Sequence, residues 1–386
     1  MALRFDNRVV VVTGAGAGLG REYALLFASR GAKVVVNDLG GSFHGEGQSK
    51  AADVVVKEIR DAGGIAVPDY NSVVEGHKVI ETAIKNFGRV DVLINNAGIL
   101  RDKSIVNTTD DDWDKINDIH LKASFITTRA AWPYFRQQKF GRVIFTSSNS
   151  GIYGNFGQAN YSAAKLGAVG LSNTVAIEGS KYNIHCNTIV PTAASRMTKD
   201  ILPEDFYNEL KPALIAPVVV YLCHENTEDN GNIIESACGW ATKVHFVRGK
   251  GSLIRTSITE GVTPEFVRDR WDAVTDMSKA THLNNIGEAS ASFMEVLEEL
   301  KNPSKPVASS ANFEDSFNYS SKDLILYALG IGVSTSNDDN LRYLYESHPD
   351  FAAFPTFSVL PGMILSMSSG LVSSKLQNFD LSQVNT

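Results

Sequence analysis

The chain has 386 residues, 43% of them hydrophobic, and a formal charge of −7, which allows two domains or one large and one partial. With 43 acidic against 36 basic residues and no basic run, the composition argues against nucleic acid as a partner. Cys186, Cys223 and Cys238 make an odd count without C-x-x-C spacing, so neither a disulfide framework nor a zinc site is expected, and reduced thiols fit better. No metal site is expected. No run reaches the roughly 18–20 apolar residues of a membrane span. The opening MALRFDN carries charges where a secretory signal is apolar, and the closing LSQVNT is not an S-K-L address.

Val9 to Val12 predicts a short buried strand, followed by TGAGAGLG from Thr13 to Gly20 and a helix over Arg21 to Ser29. Strand, glycine turn and helix are the order of a phosphate cradle: backbone N–H groups approach a pyrophosphate and the helix N-terminus adds positive field. The spacing is not G-x-G-x-x-G. Counted from Gly14 the third glycine would fall on Leu19, and from Gly16 on Arg21; what stands is G-x-x-x-G-x-G, with Gly14, Gly18 and Gly20. A second strand, Lys33 to Asn37, ends at Asp38. A carboxylate there accepts from both ribose hydroxyls and repels a 2′-phosphate, which favours NAD over NADP, although an aspartate can also simply start a turn. Ser42 to Gln48 reads as a glycine-rich loop, Lys50 to Asp61 as an amphipathic helix and Ile65 to Val67 as a strand. Val74 to Asn86 reads as a helix, and Val90 to Ile94 as a strand running into NNAG, Asn95 to Gly98. This alternation predicts a doubly wound parallel sheet with helices on both faces and ligands beyond the carboxyl ends of the strands.

Asp110 to Lys139 reads as a long helix with Trp113, Ile116, Ile119, Phe125 and Trp132 apolar, interrupted at Pro133. Val143 to Phe145 is the next buried strand. It releases the chain into TSSNSG, which carries Ser148, and a helix begins near Gln158. Tyr161 and Lys165 stand one turn apart on one face of that helix. A phenol normally ionises near pH ~10; an ammonium beside it favours the phenolate and makes it a usable acid/base. Ser148 can donate to a carbonyl oxygen. Alone, YxxxK reads far better as a solvated helical pair. Here Gly14–Gly20, Asp38, Asn95–Gly98 and Ser148 all converge on one sheet edge, which points to a site. Ile184 to Val190 gives a sixth strand. Pro191 to Pro217, with Met197, Ile201, Leu202 and Phe206, reads as a lid or as a pair of surface helices. Ile233 to Ser236 is the expected last strand. Val244 to Leu300 shows polar helix signals without a motif, and KNPSKPVASSANF, Lys301 to Phe313, reads as an interdomain linker.

TGAGAGLG, NNAG and Ser148–Tyr161–Lys165 together resemble the short-chain dehydrogenase/reductase family over Arg4 to Gly239. The longer phrases NDLGGSFHGEG, NNAGILRDKS, SSNSGIYGNFGQANYSAAKLG and NIHCNTIVPTAASRMT are similar to the (3R)-hydroxyacyl-CoA dehydrogenase unit of the type 2 family of peroxisomal multifunctional enzymes. FNYSSKDLILYALGIG and YLYESHPDFAAFPTFSVLPG resemble the opening of that family's enoyl-CoA hydratase 2 unit. The resemblance implies a Rossmann-type α/β dehydrogenase domain with a C-terminal extension over residues 1–300. A linker over 301–312 and an incomplete, α+β, hot-dog-like segment over 313–386 follow. It implies NAD-dependent oxidation of (3R)-3-hydroxyacyl-CoA to 3-ketoacyl-CoA in fatty-acid β-oxidation, by a homodimer, in the peroxisome although S-K-L is missing; hydratase activity is not expected.

In the family mechanism Tyr161 takes the hydroxyl proton, Lys165 lowers the pKa of Tyr161 and holds the nicotinamide ribose, and Ser148 orients the oxygen. Gly14, Gly18, Leu19, Gly20, Asp38, Asn71, Asn96 and Gly98, with Tyr161 and Lys165, would bind the cofactor. Three departures stand out. DIHLKA puts His120 where many members carry a relay asparagine, Asn71 stands where an aspartate often meets adenine, and PTAA replaces Pro-Gly after the sixth strand, keeping Pro191. Two other readings share the sequence: a steroid or other secondary-alcohol dehydrogenase on the same machinery, and a non-catalytic dimerising scaffold, against which the intact Ser148, Tyr161 and Lys165 speak.

Overall fold

The computed structural model describes residues 2–40, 50–194 and 203–301 and parts of 320–352. The expected loop Ser42–Gln48, the lid residues Met197, Ile201 and Leu202, the linker beyond Lys301 and most of the expected hot-dog-like segment lie outside the described residues. The packing divides the chain into two units, Met1–His245 and Phe246–Thr386. Residues 246–300, read from sequence as an extension of the dehydrogenase domain, fall within the second of these units.

In the first unit eight strands form one sheet: β1 (Val9–Thr13), β2 (Lys33–Asn37), β3 (Ile65–Asp69), β4 (Val92–Asn95), β5 (Gly141–Thr146), β6 (Ile184–Pro191), β7 (Ile233–Ala237) and β8 (Trp240–Val244). Their order is β3-β2-β1-β4-β5-β6-β7-β8; the first seven run parallel and β8 runs antiparallel to β7. The helices are α1 (Gly18–Ser29), α2 (Ala51–Asp61), α3 (Gly76–Phe87), α4 (Asp110–Asn117), α5 (Ala123–Gln138), α6 (Asn149–Tyr153), α7 (Ala159–Gly179), α8 (Glu204–Glu209) and α9 (Ala216–Leu222).

Alternation within β1 explains why its sequence is an unbroken valine run. Val10 and Val12, with Val34 and Val36, pack in one cluster with Tyr23 and Phe27 of α1, Ile59 of α2 and Val219 of α9. Val9 and Val11, with Val35, pack in a second cluster with Val79 and Ala83 of α3, Phe135 of α5 and Val175 of α7. A strand covered on both faces has no polar side to show. The chain winds outward from β1 to β3, then returns to place β4 on the other flank of β1. That reversal opens a crevice beyond the carboxyl ends of β1 and β4, where ligands of such sheets bind.

Four expectations are corrected. First, α1 starts at Gly18, three residues before Arg21. Second, α5 continues through Pro133. A proline forfeits one helical hydrogen bond, and the complete burial of Ala131 and Phe135 on either side of it offsets that loss. Third, the expected single helix over Asp110 to Lys139 is in two parts, α4 and α5, and its apolar residues differ in burial: Ile116 is fully buried while Trp113 and Phe125 are 44% and 43% exposed. A π-helical turn over Asp118–Lys122 inserts between α4 and α5 and shifts the register of one helix face against the other. Fourth, β7 is not the last strand, because the chain reverses at Cys238 and Gly239, both at positive φ, and adds β8 at the edge.

In the second unit β9 (Val247–Arg248) pairs antiparallel with β10 (Thr281–His282). Its helices are α10 (Pro264–Asp269), α11 (Trp271–Thr275), α12 (Ile286–Lys301), α13 (Ser321–Gly330) and α14 (Leu341–Leu344). Thr263 caps α10 by accepting from the Phe266 N–H. Among the described residues no helix is long and apolar enough to cross a membrane, and no His/Cys/Asp/Glu group is arranged to hold a metal.

Candidate active site

The turn after β1 is built for close approach. Gly14 sits at φ +63°, and a Cβ there would stand 2.7 Å from the Ala97 Cα. The Gly16 N–H donates to Asp38 Oδ2 at 2.8 Å, and a Cβ at Gly16 would stand 2.6 Å from that same oxygen. Gly18, at φ +54°, opens α1 with no atom within 4 Å of a Cβ position, while a Cβ at Gly20 would meet the Gly14 carbonyl oxygen at 2.2 Å. Leu19 packs partly buried against the core. Ala17 precedes α1 without a side-chain cap, and the first turn carries no acid. Its N–H groups are thus placed for an anionic ligand.

Asp38 spends one oxygen on Gly16 and accepts the Gly40 N–H with the other at 2.8 Å, each oxygen keeping further lone-pair capacity. Asn96 turns inward: its Nδ2 donates to the carbonyls of Thr13 and Gly14 at 3.0 and 3.1 Å. Thr13 Oγ1 accepts the N–H groups of Asn96 and Ala97 and donates to the Ile94 carbonyl. These bonds tie the glycine turn to the end of β4. Asn71, beyond β3, donates its amide to Asp69 at 2.7 Å, which aims its own oxygen away from that carboxylate. Gly98 faces His120, whose Cε1 would stand 2.4 Å from a Cβ.

At the end of β5, Ser148 caps α6 by accepting the Ser150 N–H at 3.2 Å, and its hydroxyl is near enough to the Tyr161 phenol to favour its ionised form. Lys165 is buried. Its Nζ donates to the Thr146 carbonyl at 2.7 Å and lies 5.4 Å from the centre of the Tyr161 ring. Burial pushes the Lys165 ammonium down to about 7. The Tyr161 phenol is pushed up to about 12, chiefly by burial; the Ser148 hydroxyl opposes the rise and the Asp102 carboxylate adds to it. The expected lowering of the phenol by Lys165 is not among the causes of its shift, whose direction burial sets.

His120, in the π-helical turn, is buried, with Nε2 2.8 Å from the Ile99 carbonyl oxygen and its ring edge-on to Tyr161 at 5.1 Å. Nε2 also lies 3.2 Å from the Ile99 N–H, so Ile99 offers it both an acceptor and a donor, and Nδ1 has no hydrogen-bond partner among the described residues. Burial, and next the Lys165 charge, hold His120 well below the usual histidine range, as neutral imidazole.

Ser148, Tyr161, Lys165 and His120 therefore meet at the end of β5, and Gly14–Gly20, Asp38, Asn96 and Gly98 line the same carboxyl edge; Asn71 stands farther out, beyond β3. Sequence reasoning passed over Gly16, Thr13, Asp102 and Gln158. Glycine at every second position from Gly14 to Gly20 was the available signal for Gly16. The other three act through partners distant in sequence and gave none. A glycine cradle in which Gly14, Gly16 and Gly20 leave no room for a Cβ, an uncapped helix start and a carboxylate at the end of β2 fit a nicotinamide dinucleotide.

Residues 8–205 match the short chain dehydrogenase family. The chain belongs to that family. A short-chain type dehydrogenase/reductase of Mycobacterium tuberculosis is 48% identical over 279 residues, 71% of this chain and 96% of that protein. Residues 317–384 match a second family, the MFE-2 hydratase 2 N-terminal domain. The peroxisomal multifunctional enzyme type 2 of Drosophila melanogaster is 64% identical over 374 residues, 97% of this chain. The chain spans 62% of that protein's length. The full-length structure of the Drosophila protein matches with a TM-score of 0.69 at 59% identity, over 95% of this chain and 62% of that one. A 7α-hydroxysteroid dehydrogenase solved with NADH and 7-oxo glycochenodeoxycholic acid matches at TM-score 0.55 and 26% identity, over 61% of this chain and 95% of that one. As a short-chain dehydrogenase the protein is an NAD(P)-dependent oxidoreductase.

Proposed function

We propose that this dehydrogenase oxidises (3R)-3-hydroxyacyl-CoA to 3-ketoacyl-CoA with NAD, in peroxisomal fatty-acid β-oxidation. The observation that carries the reading is 64% identity, along 97% of the chain, to a protein named peroxisomal multifunctional enzyme type 2. Ser148, Tyr161 and Lys165 support it by meeting beside the dinucleotide cradle. An oxidised nicotinamide dinucleotide held by the Gly14–Gly20 turn and Asp38 would supply the acceptor for the hydride of the alcohol carbon. Tyr161 takes the hydroxyl proton, so the alcohol loses a hydride and a proton and becomes the ketone. Ser148 holds the reacting oxygen: with its own oxygen accepting from the Ser150 N–H, its proton is free to point at the substrate. Lys165 supplies positive charge beneath the phenol and a donor toward the nicotinamide ribose.

Asp38 selects NAD. Asp38→Ser removes the charge that repels a 2′-phosphate, so the ratio of kcat/KM for NAD over NADP falls; a wild-type enzyme that prefers NADP overturns this assignment. A homodimer fits the exposed Phe125 on α5 and Leu166 on α7, and sedimentation reads it directly. Similarity to the hydroxysteroid enzyme favours a second reading, oxidation of a ring alcohol at the same site. Initial rates of NADH formation with 3R- and 3S-hydroxyacyl-CoA and with hydroxysteroids decide. Turnover of the 3R thioester with little of the 3S form is expected, and a chain active only on steroids overturns the acyl-CoA reading.

A further inference from the structure

A chain of hydrogen bonds runs behind the reacting hydroxyl. Gln158, buried just ahead of α7, donates its Nε2 to Asp102 Oδ2 at 2.6 Å. A carboxylate only accepts, so this bond fixes which end of the amide faces which neighbour. The amide oxygen of Gln158 must then face inward, and it accepts from Ser150 Oγ at 2.7 Å and Asn155 Nδ2 at 2.9 Å. Ser150 in turn donates its backbone N–H to Ser148 Oγ. That bond occupies an acceptor position on Ser148 and leaves its proton free for the reacting oxygen.

The two loops that carry the ends of this chain are held together elsewhere. Asn160 Nδ2 donates to the carbonyls of Arg101 and Asp112, each at 3.2 Å, and Asn160 Oδ1 accepts the Tyr161 N–H at 2.8 Å. Lys103 and Arg101 pair with the buried Asp112 at the start of α4. Asp102 thus sits on an anchored segment. It lies near enough to Tyr161 for its field to reach the phenol.

We propose that Asp102 and Gln158 are a positioning pair for the reaction: Gln158 holds the turn that directs the Ser148 proton, and Asp102 fixes the Gln158 amide and brings a negative charge to this side of the site. The inference rests on Tyr161 being the proton acceptor.

Asp102→Asn tests it, because an asparagine at this exposed position can still present an oxygen to Gln158 but carries no charge. The acid limb of the kcat–pH profile for alcohol oxidation is expected to move to lower pH by about half a unit or more, with the KM for NAD unchanged. Asp102→Glu, which keeps the charge, is expected to restore the wild-type limb. A merely structural role would lower kcat at all pH values without moving the limb. Tyr161→Phe, run alongside, separates the two levels of the argument. If Tyr161→Phe is inactive while Asp102→Asn superimposes on wild type, the positioning pair is overturned alone. If Tyr161→Phe turns over like wild type, the assignment of Tyr161 fails and the pair fails with it.

Discussion

Tyr161 and Lys165 carry shifts in opposite directions from one cause: burial raises the acid that would become an anion and lowers the base that is a cation. Tyr161→Phe removes the proton acceptor and little volume, so NAD binding is expected to persist, by fluorescence titration, while turnover vanishes. Retention of more than about a tenth of wild-type kcat, a deficit under ~1.4 kcal/mol in barrier, removes Tyr161 from that role. Lys165 has a stability signature as well. Its pKa falls from 10.5 in the unfolded chain to about 7 when folded, so between these values the unfolded chain binds more protons and stability rises with pH. Below pH 7 the full cost of burying the charge is present. Lys165→Met is therefore expected to raise Tm relative to wild type near pH 6, with the advantage shrinking toward pH 10, although activity is lost; thermal melts across that range read it. The spacing of Ser148, Tyr161 and Lys165 was legible in sequence because one strand end and one helical turn define it. Gln158 and Asp102 were not, since their bond crosses a separation of 56 residues.

Among the elements, the strands were the most legible, because valines covered on both faces leave an unmistakable run. β8 was missed for the complementary reason: its residues are all at least partly exposed and show no apolar face. The π-helical turn was invisible, since one extra residue per turn leaves no mark on composition. It delivers His120 to the side of Tyr161 and still lets Phe135 on α5 reach the core. His120→Asn puts a smaller amide in that turn, one that can bond to the Ile99 backbone as the imidazole does. Its kcat is expected within about threefold of wild type, ~0.7 kcal/mol. A loss as deep as that of Tyr161→Phe in the same assay makes His120 part of the proton path instead.

On the scale of the whole molecule, the first unit was readable almost throughout and the second hardly at all. Motifs and periodicity end with the first unit, and from Phe246 to Leu300 few side chains are buried enough to impose a pattern. The segment Lys301 to Phe313 is rich in Pro, Ser and Lys, the composition of a linker. Limited proteolysis is expected to cut there first and to release an N-terminal fragment that keeps full dehydrogenase activity; a fragment that loses activity on cleavage refutes the division. The place of β1 has a consequence for how the protein is made. Its neighbours come from opposite directions in time: β2 follows at once, but Val9 waits for Asp91, 82 residues later, and Thr13 for Asn96. While the chain grows, the β3-β2-β1 half can pair first, with the valine edge of β1 bare. The phosphate turn lacks the two amides that hold Thr13 until β4 has been synthesised and docked. The nascent dehydrogenase thus passes through an interval in which its glycine motif is present and its cofactor has nowhere to bind, and the same interval is the one in which its most adhesive edge needs protection.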